Sequence, residues 1–173
     1  LDNANAGSAH VYSGATFSSV TSIANPAPTI RFFGLSVSLY NGRLAVGAPT
    51  ASAAPSGAAY VFSGAGYASV QTLVPTGSPG QFGLALDLDD NSLIVGAPAT
   101  NARAGQAHLF SRSGGSFSES AIALPADLAA QDEYGGTLGL ANGIFAIGAP
   151  LHDAAGNAVG SAYVFQAAPE VSV

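Results

Sequence analysis

Three hydrophobic runs in this chain end in the same tripeptide: RLAVGAP at 43–49, LIVGAP at 93–98 and IFAIGAP at 144–150. A motif that returns after 49 and then 52 residues constrains the fold more than local propensity does, because stacked copies of one unit bury a core that no single copy can. The rest of the unit recurs in phase. FFGLSVSL at 32–39, QFGLALDL at 81–88 and EYGGTLGL at 133–140 each open on an aromatic residue followed by Gly and then alternate, which predicts strands with one apolar face. The connections YNG, DDNS and ANG lead from these into the runs that end in Gly-Ala-Pro, a hairpin signal.

A third element occurs four times, as GSAHVY at 7–12, GAAYVF at 57–62, GQAHLF at 105–110 and GSAYVF at 160–165. A fourth, richer in Ser and Thr, follows at 16–23, 67–74 and 116–124, and suits a half-solvated outer strand. Four antiparallel strands in roughly 50 residues is the period of a propeller blade, and no stretch sustains a helical period. The expected fold is all-β, a propeller or propeller segment of about three and a half blades. Its divisions fall at 1–31 (half a blade), 32–80, 81–132 and 133–173. The tripeptide reads as a strand terminator: Pro49, Pro98 and Pro150 cannot donate to a ladder. Gly47, Gly96 and Gly148 allow either close backbone approach or a φ that a side chain forbids.

Composition narrows the function. Hydrophobic residues make up 48% and charged ones 8%, so the chain has the means to fold. Four Arg, no Lys and ten acidic residues give a net charge of −6, which argues against nucleic acid and anionic membrane as partners. No apolar run reaches the length of a membrane helix, and without Cys there is neither disulfide nor thiolate metal site. The chain begins at Leu1, which suggests a processed or excised segment.

Phe33-Gly34, Phe82-Gly83 and Tyr134-Gly135, joined to the three Gly-Ala-Pro stops, resemble the FG-GAP repeats of integrin α-subunit propellers and their bacterial relatives. The resemblance implies a ring of about seven blades, so three and a half would not close alone. A piece of a longer propeller is expected, or an arc that packs on partners or self-associates. Two identical halves lacking the same inner strands would not complement each other simply. Many relatives carry a calcium loop between the first two strands of a blade. The connections here are too short to wrap that ion, and no cofactor or metal is expected. Asp87, Asp89 and Asp90 read as strand alternation followed by a polar turn, and PEVSV at 169–173 as a final outer strand.

Catalytic constellations are weak. His10 and His108 align with Tyr60 and Tyr163 and read as structural rings, the His152-Asp153 neighbours rarely converge, and Asp132-Glu133 reads as solvated loop charge. No G-x-S-x-G and no lysine-bearing phosphate loop is present. Topology places the connections 24–32, 75–81 and 125–133 on one face with 50–56, 99–104 and 151–159. That face carries Arg31, Asn101, Arg103, Asp132, Glu133, His152 and Asp153, the expected contact surface for a protein or glycan ligand. The expected function is a non-enzymatic interaction, adhesion or assembly module, secreted or at the cell surface. The alternatives are a carbohydrate-binding propeller and an accessory segment of a larger secreted hydrolase.

Overall fold

The computed structural model describes residues 6–50, 56–153 and 159–166. The strands are β1 (Ser8–Ser13), β2 (Ser19–Ala24), β3 (Ser36–Tyr40), β4 (Arg43–Ala48), β5 (Ala58–Ser63), β6 (Ser69–Leu73) and β7 (Leu86–Leu88). They continue as β8 (Ser92–Gly96), β9 (Ala107–Ser113), β10 (Ser116–Ala123), β11 (Thr137–Ala141), β12 (Ile144–Ala149) and β13 (Ser161–Gln166). They form four antiparallel sheets in chain order, β1-β2, β3 to β6, β7 to β10 and β11 to β13. The fold is all-β, two four-stranded blades flanked by a two-stranded and a three-stranded sheet. The sequence's PEVSV strand lies outside the described residues.

The hairpins between first and second strands are tight. Asn41-Gly42 (φ 46° and 72°) and Asn142-Gly143 (φ 51° and 72°) are left-handed at both central positions, the type I′ geometry whose twist matches the flanking strands. β4 ends at Ala48, β8 at Gly96 and β12 at Ala149, each stopping at or just before its proline.

The aromatic-glycine pairs correct the sequence reading, because the first strands start later than their alternation suggests. Phe32, Gln81 and Glu133 are left-handed, as are Gly34, Gly83 and Gly135, so each aromatic ring is carried by a turn and not by a strand. The turn closes with Leu35 N–H on Phe32 O, Leu84 on Gln81 and Gly136 on Glu133, at 3.0–3.1 Å. The glycine N–H of each turn then donates to the carbonyl of its own blade's terminator glycine: Gly34 to Gly47, Gly83 to Gly96 and Gly135 to Gly148, each at 3.0 Å.

The blades meet through backbone. A Cβ at Gly47 would collide with the Gly83 carbonyl of the next blade, and one at Gly96 with the Gly135 carbonyl. Neither Gly47 nor Gly96 has a positive φ, so of the two roles open to the terminator glycine, close approach is the one used. The glycines that open the third strands repeat the device: Gly7, Gly57 and Gly105 would collide with the carbonyls of Phe33, Phe82 and Tyr134. Gly7 with Phe33 and Gly105 with Tyr134 form parallel bridges across their seams.

Side chains complete the core between blades. Ala45, Ala59, Val61 and Leu73 of one blade pack with Phe82, Leu86, Leu93 and Phe110 of the next. Ile94 and Ala107 pack likewise with Tyr134, Phe145 and Ile147. With a neighbour on both sides, β4, β5 and β8 are buried along nearly their whole length, whereas β2 and β6 keep most of their Ser and Thr in water. Asp87 on β7 spans three blades: its carboxylate accepts Ser38 Oγ at 2.7 Å on one side and the Leu140 N–H at 2.8 Å on the other. Asp89 caps its own turn, taking the N–H groups of Asn91 at 3.0 Å and Ser92 at 2.8 Å, and reaches Gly143 N–H at 3.1 Å in the next blade.

Candidate contact surface at the second and third blades

After Pro98 the chain reverses through Asn101, Ala102 and Arg103, three successive non-glycine residues at φ 51°, 54° and 67°. Left-handed backbone costs an L-residue roughly 1–2 kcal/mol, so a run of three persists only where the surroundings enforce it. Two turn bonds hold it from within, Ala104 N–H to Asn101 O and Gly105 N–H to Thr100 O, both at 3.1 Å. The next blade holds it from outside. Ala102 O accepts the Gln131 N–H at 3.2 Å, Arg103 O accepts Glu133 at 2.8 Å and Ala104 O accepts Tyr134 at 3.0 Å. The result is a rigid exposed turn that presents the side chains of Asn101 and Arg103.

Arg103 extends this contact by pairing its guanidinium with the Glu133 carboxylate. Behind it, Asp132 is buried at 1% exposure, which corrects the expectation of a solvated loop charge. Its Oδ2 accepts the Ala129 N–H at 2.7 Å and His152 Nδ1 at 2.8 Å. Leu151 N–H donates to its carbonyl oxygen at 3.3 Å. Burial disfavours the charged Asp132, but the Ala129 N–H and His152 outweigh it and hold the carboxyl below its ordinary range. The same hydrogen bond, with Asp132, Asp127 and Asp153 nearby, raises His152. On the other side of the ring, Nε2 lies 3.7 Å from the exposed Asp127 carboxylate. Tyr163 packs edge-on against His152, and Tyr134 against Tyr163.

The structure therefore joins six of the seven residues expected on this face. Asn101, Arg103 and Glu133 share the left-handed turn and its ion pair, and Asp132 and His152 form a buried latch with exposed Asp153 beside it. Arg31 stands apart, exposed between β2 and β3, with no hydrogen bond or ion pair among the described residues. Asp127, Ala102 and Tyr163 belong to the cluster although the sequence reading did not name them for this face, since only spatial closure connects them. An Asp-His pair can orient a general base. Here His152 lies between two carboxylates, Asp132 at Nδ1 and Asp127 at Nε2, and ties the connection at 125–133 to the one that follows β12. A separate apolar cleft of about 260 Å³ lies at the preceding seam, lined by Phe32, Leu35, Pro49, Thr50, Gln81 and Leu84.

The sequence profile of the FG-GAP repeat matches residues 25–62 and 117–165, half of the chain. The chain belongs to the FG-GAP repeat family. No curated protein is significantly similar to it. The stretch between the two matches carries a third FG-GAP unit by geometry, since Phe82-Gly83 and Gly96-Ala97-Pro98 make the same turn, the same glycine-to-glycine bond and the same seam. The two halves of the FG-GAP motif thus describe one construction. The FG glycine donates to its own GAP glycine, and its carbonyl lies against the GAP glycine of the blade before.

Proposed function

We propose that this chain is a non-enzymatic extracellular interaction module. FG-GAP blades supply its rigid frame, and the loop cluster of the second and third blades supplies its contact surface for a protein ligand. The observation that carries the reading is the left-handed turn at Asn101–Arg103, held rigid from the neighbouring blade while its side chains face solvent. Strain maintained at an exposed loop on a fixed scaffold is a mark of a recognition element, because the loop loses little freedom on binding. Arg103 is of the type that dominates interface energetics, and its paired guanidinium is already oriented. No helix among the described residues is long and apolar enough to cross a membrane.

The test is binding of the immobilised chain to a panel of extracellular glycoproteins and to a glycan array. Binding to a protein of the panel is expected, weakened at least about tenfold, or ~1.4 kcal/mol, in the Asn101→Ala/Arg103→Ala variant with its melting temperature little changed. A variant that binds as tightly as the parent removes this face from consideration, and binding to the glycan array alone replaces the protein ligand with a carbohydrate one.

A further inference from the structure

Among the described residues, the first four-stranded blade and the three-stranded sheet present complementary surfaces on their outer faces. At the leading end, Val37 and Leu39 of β3 lie three and five residues after the motif glycine and are each 57% exposed. Their counterparts in the next blade, Leu86 and Leu88, are 7% and 2% exposed because a blade covers them. At the trailing end, β12 and β13 turn Ile144, Ala146 and Val164 outward, Val164 to 71%. Ala146 and Val164 are register partners and share that face.

The trailing face also carries the receiving half of the seam without the half it receives. Gly47 and Gly96 each face the carbonyl of a following motif glycine, whereas the three atoms nearest a Cβ at Gly148, among the described residues, all belong to Thr137 in its own blade. Ser36, the register partner of Gly47, donates its hydroxyl to the Gly83 carbonyl at 2.8 Å. Thr137 holds the same place opposite Gly148 with a hydroxyl of its own. Gly160 stands where Gly57 and Gly105 stand, and among the described residues no following aromatic carbonyl lies against it.

Phe82-Gly83 and Tyr134-Gly135 are both docked between complete neighbours. Phe33-Gly34 is docked only on the β1-β2 hairpin, of which Ala9 and Ile23 are the buried side chains. A two-stranded hairpin is marginal on its own. We propose that the trailing face of one molecule receives the Phe33-Gly34 turn of a second copy, displacing that copy's β1-β2 hairpin. The Gly34 carbonyl then lies on Gly148 within reach of the Thr137 hydroxyl, the Phe33 carbonyl lies on Gly160, and Val37 and Leu39 cover Ala146 and Val164. The contact is head-to-tail, so it extends to chains or closes into a ring.

Solution mass tests this, a readout independent of whatever the loop face binds. Light scattering over a concentration series of the 173-residue chain is expected to show reversible self-association. Gly7→Val crowds the Phe33 carbonyl and loosens the hairpin, so it should lower the concentration at the association midpoint by about tenfold or more. Gly148→Val should abolish association while leaving the melting temperature near that of the parent, since the nearest group in its way is a rotatable Thr137 hydroxyl. The double variant separates exchange from damage: it should be monomeric, whereas association through unfolding would persist in it. A chain that stays monomeric at every concentration, with or without Gly7→Val, overturns the proposal. So does an assembly that Gly148→Val leaves intact.

Discussion

Gly96→Ala adds one methyl group to a strand, a change that ordinarily stabilises by about 0.5–1 kcal/mol through backbone entropy. Here it should destabilise. An ideal Cβ at Gly96 overlaps the Gly135 carbonyl oxygen and lies 2.9 Å from the carbonyl carbon and 3.3 Å from Leu138 Cδ2, where carbon contacts sit at about 3.5–4.0 Å. The obstacle is backbone of the next blade, so relief requires the two blades to part by about 1 Å, a gap that forfeits roughly a quarter to a half of the dispersion energy across it. Four large side chains meet at that seam, Ile94, Tyr134, Phe145 and Ile147. At about 2 kcal/mol each for burial, losing a third costs about 3 kcal/mol; set against the backbone-entropy gain of about 0.5–1 kcal/mol, the net cost is about 2 kcal/mol, equivalent to about 4–8 °C in melting temperature for a chain of this size. Far-UV circular dichroism melts and urea midpoints would measure it, with Gly148→Ala as the control. There the nearest backbone atom, Thr137 O, is 3.7 Å away, and the cost should stay under about 1 kcal/mol. Equal losses at the two positions, or a Gly96→Ala protein as stable as the parent, would refute the close-approach reasoning.

Three further outcomes follow from particular bonds. Tyr134 is fully buried with a hydroxyl that lacks a partner among the described residues, in a place where the other blades carry Phe33 and Phe82, so Tyr134→Phe should stabilise by about 1 kcal/mol in urea unfolding. Asp87→Ala removes the acceptor that joins Ser38 to Leu140 and should cost about 2 kcal/mol, while Asp90→Ala, whose carboxylate is half exposed where it meets the largely covered Arg43, should cost less. His152 is raised above its ordinary 6.5 in the folded chain, so its contribution is fully present below that value and is lost as pH rises through the folded pKa. Asp132 is lowered, so its contribution is present above 3.8 and is lost as pH falls through its folded pKa. Melting temperatures from about pH 5 to about pH 9 should therefore decline on the alkaline side in the parent, and that decline should vanish in His152→Gln.

The strand period, the terminator and the four-strand unit were legible because each is local: Pro49, Pro98 and Pro150 stop a ladder wherever they sit. The starts of the first strands were not. Phe33 and Leu35 alternate as strand residues do, and only the left-handed conformations at Phe32 and Gly34, imposed by the seam, show that the pair is a turn. The loop residues were legible one by one but not as a network. His152 bonds Asp132, twenty residues away, and not its neighbour Asp153, and the partner became visible only once two connections of successive blades came together. Asp87 is a similar case. Strand alternation placed its side chain on one face but carried no sign that this face meets two other blades.

The most direct measurement is amide hydrogen exchange at Gly34, Gly83 and Gly135, followed by NMR. All three lie in turns, where a chain without this FG-to-GAP bond would exchange at nearly unprotected rates. The donation of each to a terminator glycine at 3.0 Å predicts slow exchange, with Gly83 and Gly135 as protected as the amides of β4 and β8. Rapid exchange at these glycines, with the strands still protected, would contradict the FG-to-GAP turn that sets each motif glycine's carbonyl against the blade before.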